Sequence, residues 1–478
     1  MLFRHQLCPV LLSLGAIPAA FAEPVKVGDR LELFADDFLI EDLHGDLARH
    51  VHQPEPKEVV FTADAPWEGN TSGYYTLFQD GDLYRMIYRG WAHDPESHKE
   101  LRPEVTCYAE SDDGIHWRKP KLGLFEWEGS KENNIVIRSG NGVHNFTAFK
   151  DTNPDCPPEA RYKALGGIEV KGKHGLLFFQ SPDCIHWEQV GDEPVITEGA
   201  FDSQNLAFWD SVRGEYRAYW RIFTEGVVNE KQWKPGGYRA IRTATSQDFV
   251  NWEPHHDLQY PEGTPNQHLY TNAIQPYFRA PHLFVGFPTR YLPDQGQRVE
   301  PIFMISRDGL LFHRYNEPVV PESAPADRKG NRSNYMTWGL FSLPGKPEEL
   351  SVYATEAYYG PVPGRVRRFA YRLDGFVSLR GGTKGGTMLS KPLTFSGDHL
   401  QLNYRTLDES GAIRVQLSDE NGAPIEGFSA DDCVALTGDS VKRTVQWKGG
   451  HDLSALAERP VRLQFFVENA ELFSLRFP

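Results

Sequence analysis

The chain has 478 residues, 13% of them aromatic and 24% charged, with a formal net charge of −15. That is enough apolar material for a large core and enough length for more than one domain. The negative charge excludes a general nucleic-acid or anionic-membrane surface, since both partners would repel it, and no later stretch is long and apolar enough to span a bilayer.

Residues 1–22 read as a secretory leader. Arg4 and His5 precede an apolar stretch from Leu7 to Ile17, and Ala20-Phe21-Ala22 forms a small-residue site before Glu23. Cleavage is expected near Ala22, giving a periplasmic or secreted protein. Four cysteines remain (Cys107, Cys156, Cys184 and Cys433), at spacings that match no zinc pattern and in too long a chain for a disulfide scaffold. They read mostly as buried free thiols, with one or two bridges left open.

An internal repeat organises the next stretch. Ser111-Asp112-Asp113-Gly114-Ile115-His116-Trp117 is echoed from Ser181 to Trp187, from Ser246 to Trp252 and from Ser306 to Phe312, with a degenerate fifth copy from Arg372 to Phe376. The aspartates at 113, 183, 248, 308 and 374 are spaced by 70, 65, 60 and 66 residues, lengths suited to four-stranded blades rather than helical repeats. Upstream of the first copy, Tyr74 to Phe78 and Leu83 to Tyr88 flank Asp80-Gly81-Asp82 as an antiparallel pair should. Counterparts begin near Phe146, Asn205, Tyr270 and Met336. A third strand precedes each turn (Val105 to Glu110, Leu176 to Gln180, Ala240 to Thr245, Pro301 to Ile305, Val366 to Tyr371), and a fourth starts at its aromatic residue. The fold class is therefore all-β: a five-bladed β-propeller over 23–380, with Leu31 to Glu41 as an extra strand that helps close the ring. The repeated aspartates read as turn residues, because Asp and Gly dominate tight turns for backbone reasons.

Gly381-Gly382-Thr383-Lys384-Gly385-Gly386 reads as a flexible joint. Beyond it, over 387–478, the alternating runs Leu400 to Tyr404, Ile413 to Leu417 and Val461 to Phe466 predict a C-terminal β-sandwich without a convergent set of catalytic residue types.

A propeller of this kind followed by a sandwich resembles glycoside hydrolase family 32 and its relatives in families 43 and 68. It is most similar to an exported family-32-like group through Pro66-Trp67-Glu68-Gly69-Asn70-Thr71, Phe201-Asp202-Ser203-Gln204-Asn205 and Gly286-Phe287-Pro288-Thr289-Arg290-Tyr291. The Trp-Met-Asn-Asp-Pro-Asn, Arg-Asp-Pro and Glu-Cys motifs of family 32 are absent, so fructan hydrolysis is not supported. The resemblance implies catalytic carboxylates where the innermost strand of a blade begins, at the mouth of the central channel.

Mapped through the repeat, that position holds Glu68 and Asn70, His144 and Asn145, Asp202 and Gln204, Gln267 and His268, and Arg332 and Asn334. The far ends of the second strands return to the same mouth, bringing Arg89, Arg221, Arg290 and Glu356, with Gly166-Gly167 in blade 2. Glycoside hydrolysis needs one protonated and one ionised carboxyl group. Asp202 and Glu356 are the first choices and Glu68 the third, each of them equally able to pair with a neighbouring arginine and merely support the rim. Arg89, Arg221 and Arg290 suit an anionic sugar, uronic or sulfated. His144, His268, Asn70, Gln204, Arg332 and Asn334 complete the expected binding set, while Trp67, Trp91, Tyr270, Tyr335 and Trp338 are aromatics suited to stacking on a sugar.

Metal signals are weak. His50-x-His52 reads as a solvated loop and Asp36-Asp37 as the start of a strand, so no cofactor is expected, with a structural Ca²⁺ on channel oxygens left open. The expected partner is an oligo- or polysaccharide, approached at a chain end and hydrolysed. Two competing readings remain: a polysaccharide lyase acting on a uronate, and a glycan-binding protein without catalysis.

Overall fold

The computed structural model describes residues 23–168, 174–229, 231–320, 335–450 and 452–478; the expected leader lies outside them. Except for short 3-10 turns such as Pro158–Ala160, its regular elements are strands.

Each repeat unit forms its own antiparallel sheet. Blade 1 comprises Gly73–Asp80, Leu83–His93, Glu100–Ser111 and Trp117–Arg118, with Ile135–Ile137 added beside Glu100–Ser111, and blade 2 Thr147–Lys150, Tyr162–Gly167, Leu176–Ser181 and Glu188–Val190. Blade 3 comprises Leu206–Asp210, Glu215–Val228, Trp233–Ser246 and His256–Asp257, and blade 4 Gln275–Tyr277, Ala280–Gly286, Met304–Ser306 and Phe312–Arg314. In blade 5, Met336 and Phe341 bridge to Ala354 and Ser351 of Glu349–Glu356, which pairs with Arg365–Arg372.

Ring closure differs from expectation. The outer strand of blade 5 is Glu55–Thr62, antiparallel to Arg365–Arg372, so the N-terminal side of the chain supplies it. Leu31 to Glu41 does not close the ring: Glu32–Leu33 pairs with Leu475 and Ser474, although Leu31, Leu33 and Ala35 also pack against blades 4 and 5. Nor does Phe376 open a fourth blade strand, because Val377–Ser390 is committed to the C-terminal sheet, where it pairs with Ile40–Val51.

The serine–aspartate turns are structural. In the first copy Asp113 Oδ1 accepts hydrogen bonds from the backbone N–H groups of Ile115 and His116, both at 2.8 Å, and Ser111 Oγ accepts one from Gly114 at 2.9 Å. Asp183, Asp248 and Asp308 repeat the pattern. The fifth copy departs from it: Asp374 is buried and takes hydrogen bonds from Tyr277, Arg279 and Ser474, tying blade 4 to the sandwich.

The channel is filled on its axis. Trp338 N–H donates to Tyr75 O and Leu77 N–H to Trp338 O. Gln204 Nε2 donates to Tyr75 O at 3.1 Å, Asn272 Nδ2 to Gln204 O at 3.1 Å, and Trp338 Nε1 to Ile274 O at 2.9 Å. Innermost strands thus satisfy one another across the axis, and a cavity at the mouth has a floor.

In the sandwich, the glycine run is a corner and not a joint. Val377–Ser390 is one strand whose Leu379–Gly381 pairs with Ala470–Leu472 and whose Gly386–Leu389 pairs with Gln464–Val467. The break between Gly381 and Gly386 moves it from one layer to the other, as corner strands do in sandwiches. The layers enclose a separate apolar core that includes Phe395, Leu417, Trp447 and Phe465. The four cysteines among the described residues are free, and all but Cys156 are buried.

Candidate active site

At the mouth lies a cavity of about 350 Å³ lined by Asp202, His144, Arg89, Arg239 and a group of tyrosines. Its size falls at the lower end of the range for ligand pockets, about 300–1,000 Å³. A larger hollow of about 570 Å³ lies on the outer faces of blades 2 and 3, and its buried Lys163 is already paired with Asp151.

Asp202 stands in the loop before blade 3, deep in the cavity yet open to it, with 57% of its side-chain surface accessible. Burial raises the pKa of its carboxyl, but Arg221, His144, Arg89 and a hydrogen bond from Asn145 outweigh that and hold it below the usual carboxylate range. Tyr270 OH donates to Asp202 Oδ2 at 3.3 Å.

His144 faces it. Its Nε2 lies 3.7 Å from Asp202 Oδ1, while its Nδ1 lies 3.1 and 3.0 Å from the two oxygens of Glu104. Asn145 Nδ2 is 3.1 Å from Nε2. With Nδ1–H donated to Glu104, Nε2 is the nitrogen that exchanges a proton with the cavity, accepting one when the ring is neutral and donating one when it is protonated. Gly167 of blade 2 makes room for it: a Cβ there would stand 2.9 Å from His144 O and 3.6 Å from its ring. Asn145 and Tyr74 both adopt left-handed backbone, with φ of 53° and 52°. Non-glycine residues rarely hold that conformation without support from their surroundings.

Arg89 is held on several sides through its two Nη groups. It donates to Asn145 Oδ1 at 3.2 Å, Thr71 O at 3.1 Å and Tyr358 OH at 2.9 Å, lies 3.4 Å from Glu104, and sits over the rings of Tyr74 and Trp91. Arg221, 4% exposed, donates Nε–H to Ala200 O at 2.9 Å and stands 4.5 Å from the Tyr270 ring centroid.

The other expected carboxylates are elsewhere. Glu356, with 2% of its side chain exposed, is held by Arg367 and lies 3.5 Å from Arg365. Glu68, fully buried, binds Lys119 Nζ at 2.6 Å, Ala65 N–H at 3.0 Å and the Tyr88 hydroxyl. Neither lines the cavity. Arg290 is bound by Glu300 at 2.6 Å. Asn70 clamps a loop through Gly360 O and His93 N–H, Gln204 belongs to the floor, and Trp338 is core. His268 accepts the Arg239 backbone N–H at 3.0 Å behind the wall. Among the aromatics, Trp91, Tyr270 and Tyr335 line the cavity, whereas Trp67 binds Asn134. Arg332 and Asn334 lie outside the described residues.

Glu104 and Arg239 escaped the sequence reading, which followed only the starts of first strands and the ends of second strands. Both immediately precede the third strands read from the sequence, Val105 to Glu110 and Ala240 to Thr245, and lie within the longer strands Glu100–Ser111 and Trp233–Ser246 of the structure, where the same antiparallel logic returns them to the mouth.

No family model matches the chain, and no curated protein matches it. Among solved structures it is similar to one described as a glycoside hydrolase, at 12% identity and a TM-score of 0.46, covering 68% of this chain and 93% of that one. It is also similar to an N-acetylgalactosamine deacetylase from F. plautii, at 10% identity and a TM-score of 0.46, covering 70% of this chain and 97% of that one. A third is a glycoside hydrolase family 43 arabinoxylan arabinofuranohydrolase from Bacillus subtilis, at 11% identity and a TM-score of 0.43, covering 89% and 99%. What defines the propeller is its strand pairing, and these likenesses fix no site residue.

Away from the propeller mouth, His50 and His52 approach Glu471 closely enough to share a cation. They do not form a solvated loop: His50 pairs with Ser378 in a strand, and His52 contacts Ser378 and Glu471. Arg380 and Arg405 already hold Glu471, so a cation would compete with two guanidinium groups. Asp36 and Asp37 do not open a strand, which begins at Ile40; they pair with Arg307 and Arg49. No described helix is long and apolar enough to cross a membrane.

Proposed function

We propose that this protein is an exported enzyme that cleaves a glycosidic bond at a chain end or in a short oligosaccharide, by hydrolysis, and that it receives an anionic sugar. The observation that carries this reading is the open, ionised Asp202 facing an imidazole whose other nitrogen is fixed by Glu104, above a closed floor. A floored pocket admits a chain end more readily than the middle of a polymer. The tyrosines offer rings to the apolar faces of a sugar.

In hydrolysis, Asp202 accepts the proton of a water molecule as its oxygen attacks the anomeric carbon. His144 carries a proton on Nε2 to the leaving oxygen, and Glu104 stabilises the charged ring. Reducing-end release from a panel of neutral, uronic and sulfated oligosaccharides tests the reading. Release that persists unchanged in both Asp202→Asn and His144→Ala overturns it, and binding without release would favour a glycan-binding protein.

One observation favours elimination as a second reading. Asp202 and His144 approach to 3.7 Å, closer than the about 5–5.5 Å of retaining carboxylate pairs or the about 6.5–9.5 Å of inverting ones. As one unit on one side of a sugar, they suit removal of the proton beside a uronate carboxyl group, after which the C–O bond breaks and a double bond forms. Products that absorb in the ultraviolet would identify that route.

A further inference from the structure

The hairpins at the mouth follow a charge rule that one blade breaks. In each blade the second strand ends, and the third begins, at the mouth. Blade 1 places Arg89 opposite Glu104 at 3.4 Å and blade 5 Glu356 opposite Arg365 at 3.5 Å, while in blade 4 the connection between the second and third strands forms a separate hairpin, Thr289–Leu292 with Arg298–Pro301, that sets Arg290 opposite Glu300 at 2.6 Å. Each of these hairpins thus sets a carboxylate of its own against its arginines. Blade 2 has Gly167 and Gly175 at these positions. Among the described hairpins, blade 3 sets two arginines, Arg221 and Arg239, on neighbouring strands with no carboxylate of the hairpin paired to either.

Asp202 offsets one of them, being held ionised chiefly by Arg221 among the nearby charges. Arg239 has no such partner. Its guanidinium lines the cavity, packed over the rings of Tyr291, Phe223 and Tyr270 at 4.7, 5.4 and 5.5 Å, and it makes no ion pair or side-chain hydrogen bond with any described residue. Nη1 of the buried Arg221 is also unpartnered. Burial and the Arg221 charge both lower the pKa of Arg239, so the wall holds a cation at a cost that nothing described offsets. Aromatic faces lessen that cost without supplying a counter-charge.

We infer that Arg239 is the carboxylate-binding residue of the cavity, taking the carboxyl group of a uronic acid on its planar fork while Arg221 adds its charge from behind Tyr270. The inference rests on the glycan reading above and deepens it. A planar guanidinium matches the two coplanar oxygens of a carboxylate. A sulfate, with three outward oxygens, would call for further donors around it.

Calorimetric titration of the whole protein with glucuronate and galacturonate, against glucose, galactose and glucose 6-sulfate, tests this without any need for turnover. The uronates should bind about tenfold more tightly than their neutral counterparts, the worth of one charge-assisted hydrogen bond. Arg239→Gln should erase that difference, and Arg239→Lys, which keeps the charge and loses the fork, should restore only part of it. Equal binding of uronates and neutral sugars, or tighter binding of the sulfate than of the uronates, overturns the inference. Uronate binding with no glycan cleaved would sink the enzymatic reading and leave the subsite standing; cleavage of neutral glycans with no preference for uronates would do the reverse.

Discussion

Glu104 and His144 form a carboxylate–imidazole pair, with Nδ1 at 3.0 Å from Oε2, and this contact turns Nε2 of the ring toward Asp202. Glu104 thereby acts on chemistry that it does not touch. Glu104→Gln should lower kcat by about 10²-fold, within the range of general acid–base contributions, and change KM little. A purely supporting role would not move the downfield Nδ1 proton resonance of His144, which should vanish in this variant and return in Glu104→Asp.

Asp202 is open to the cavity but is the counter-charge to Arg221, so Asp202→Asn should fold with a modestly lower thermal midpoint while kcat drops by about 10²–10⁴-fold. Its pKa lies below the ordinary carboxylate value of about 3.9. A base so placed stays ionised until the pH drops below that value, so the acid limb of kcat/KM should lie under pH 4. An acid limb near pH 5 or 6 would assign the base to another group.

Glu356 has the opposite character. Removing its charge leaves Arg367 and Arg365 facing each other in blade 5, and breaking a buried pair from one side costs about 3–5 kcal/mol; the partial exposure of Arg365 and Arg367 places the expected loss at the lower end. Glu356→Gln should therefore lower stability in urea unfolding by about 3 kcal/mol, with kcat within about twofold of the wild type. A large loss of kcat in a folded variant would return Glu356 to the chemistry.

The repeated turns should govern acid stability. Burial raises the pKa of Asp248, but its hydrogen bonds from Asn251, Val250 and Ser246 prevail and bring it down to about 2. A carboxyl with a depressed folded-state pKa contributes stability that is complete above its unfolded value of about 3.9 and is lost as the pH falls toward 2. The thermal midpoint of the wild type should decline across that window, and Asp248→Asn should decline less steeply while showing unchanged kcat at neutral pH.

How much could be read from the sequence depends on the range of the interaction. Aspartate turns, hairpin alternation and the number of blades are local, dictated by backbone geometry within a few residues of Asp113, Asp183, Asp248 and Asp308, and they stand in the sequence in register. Asp202 was legible as well, because the repeat maps a rim position without any knowledge of partners. Pairings across hundreds of residues were not. Glu55–Thr62 closes blade 5 because Val377–Ser390 is claimed by the sandwich, and no local pattern announces that competition. The glycines from 381 to 386 look the same in sequence whether they form a linker or a corner, since the same backbone freedom serves both. Carboxylates divide in the same way: Glu68, Asp202 and Glu356 are alike as rim residues, and only the tertiary structure sets Lys119 and Arg367 against two of them and leaves the third open. It is this distribution of counter-charges, decided by which strands lie side by side, that singles out Asp202, His144, Glu104 and Arg239.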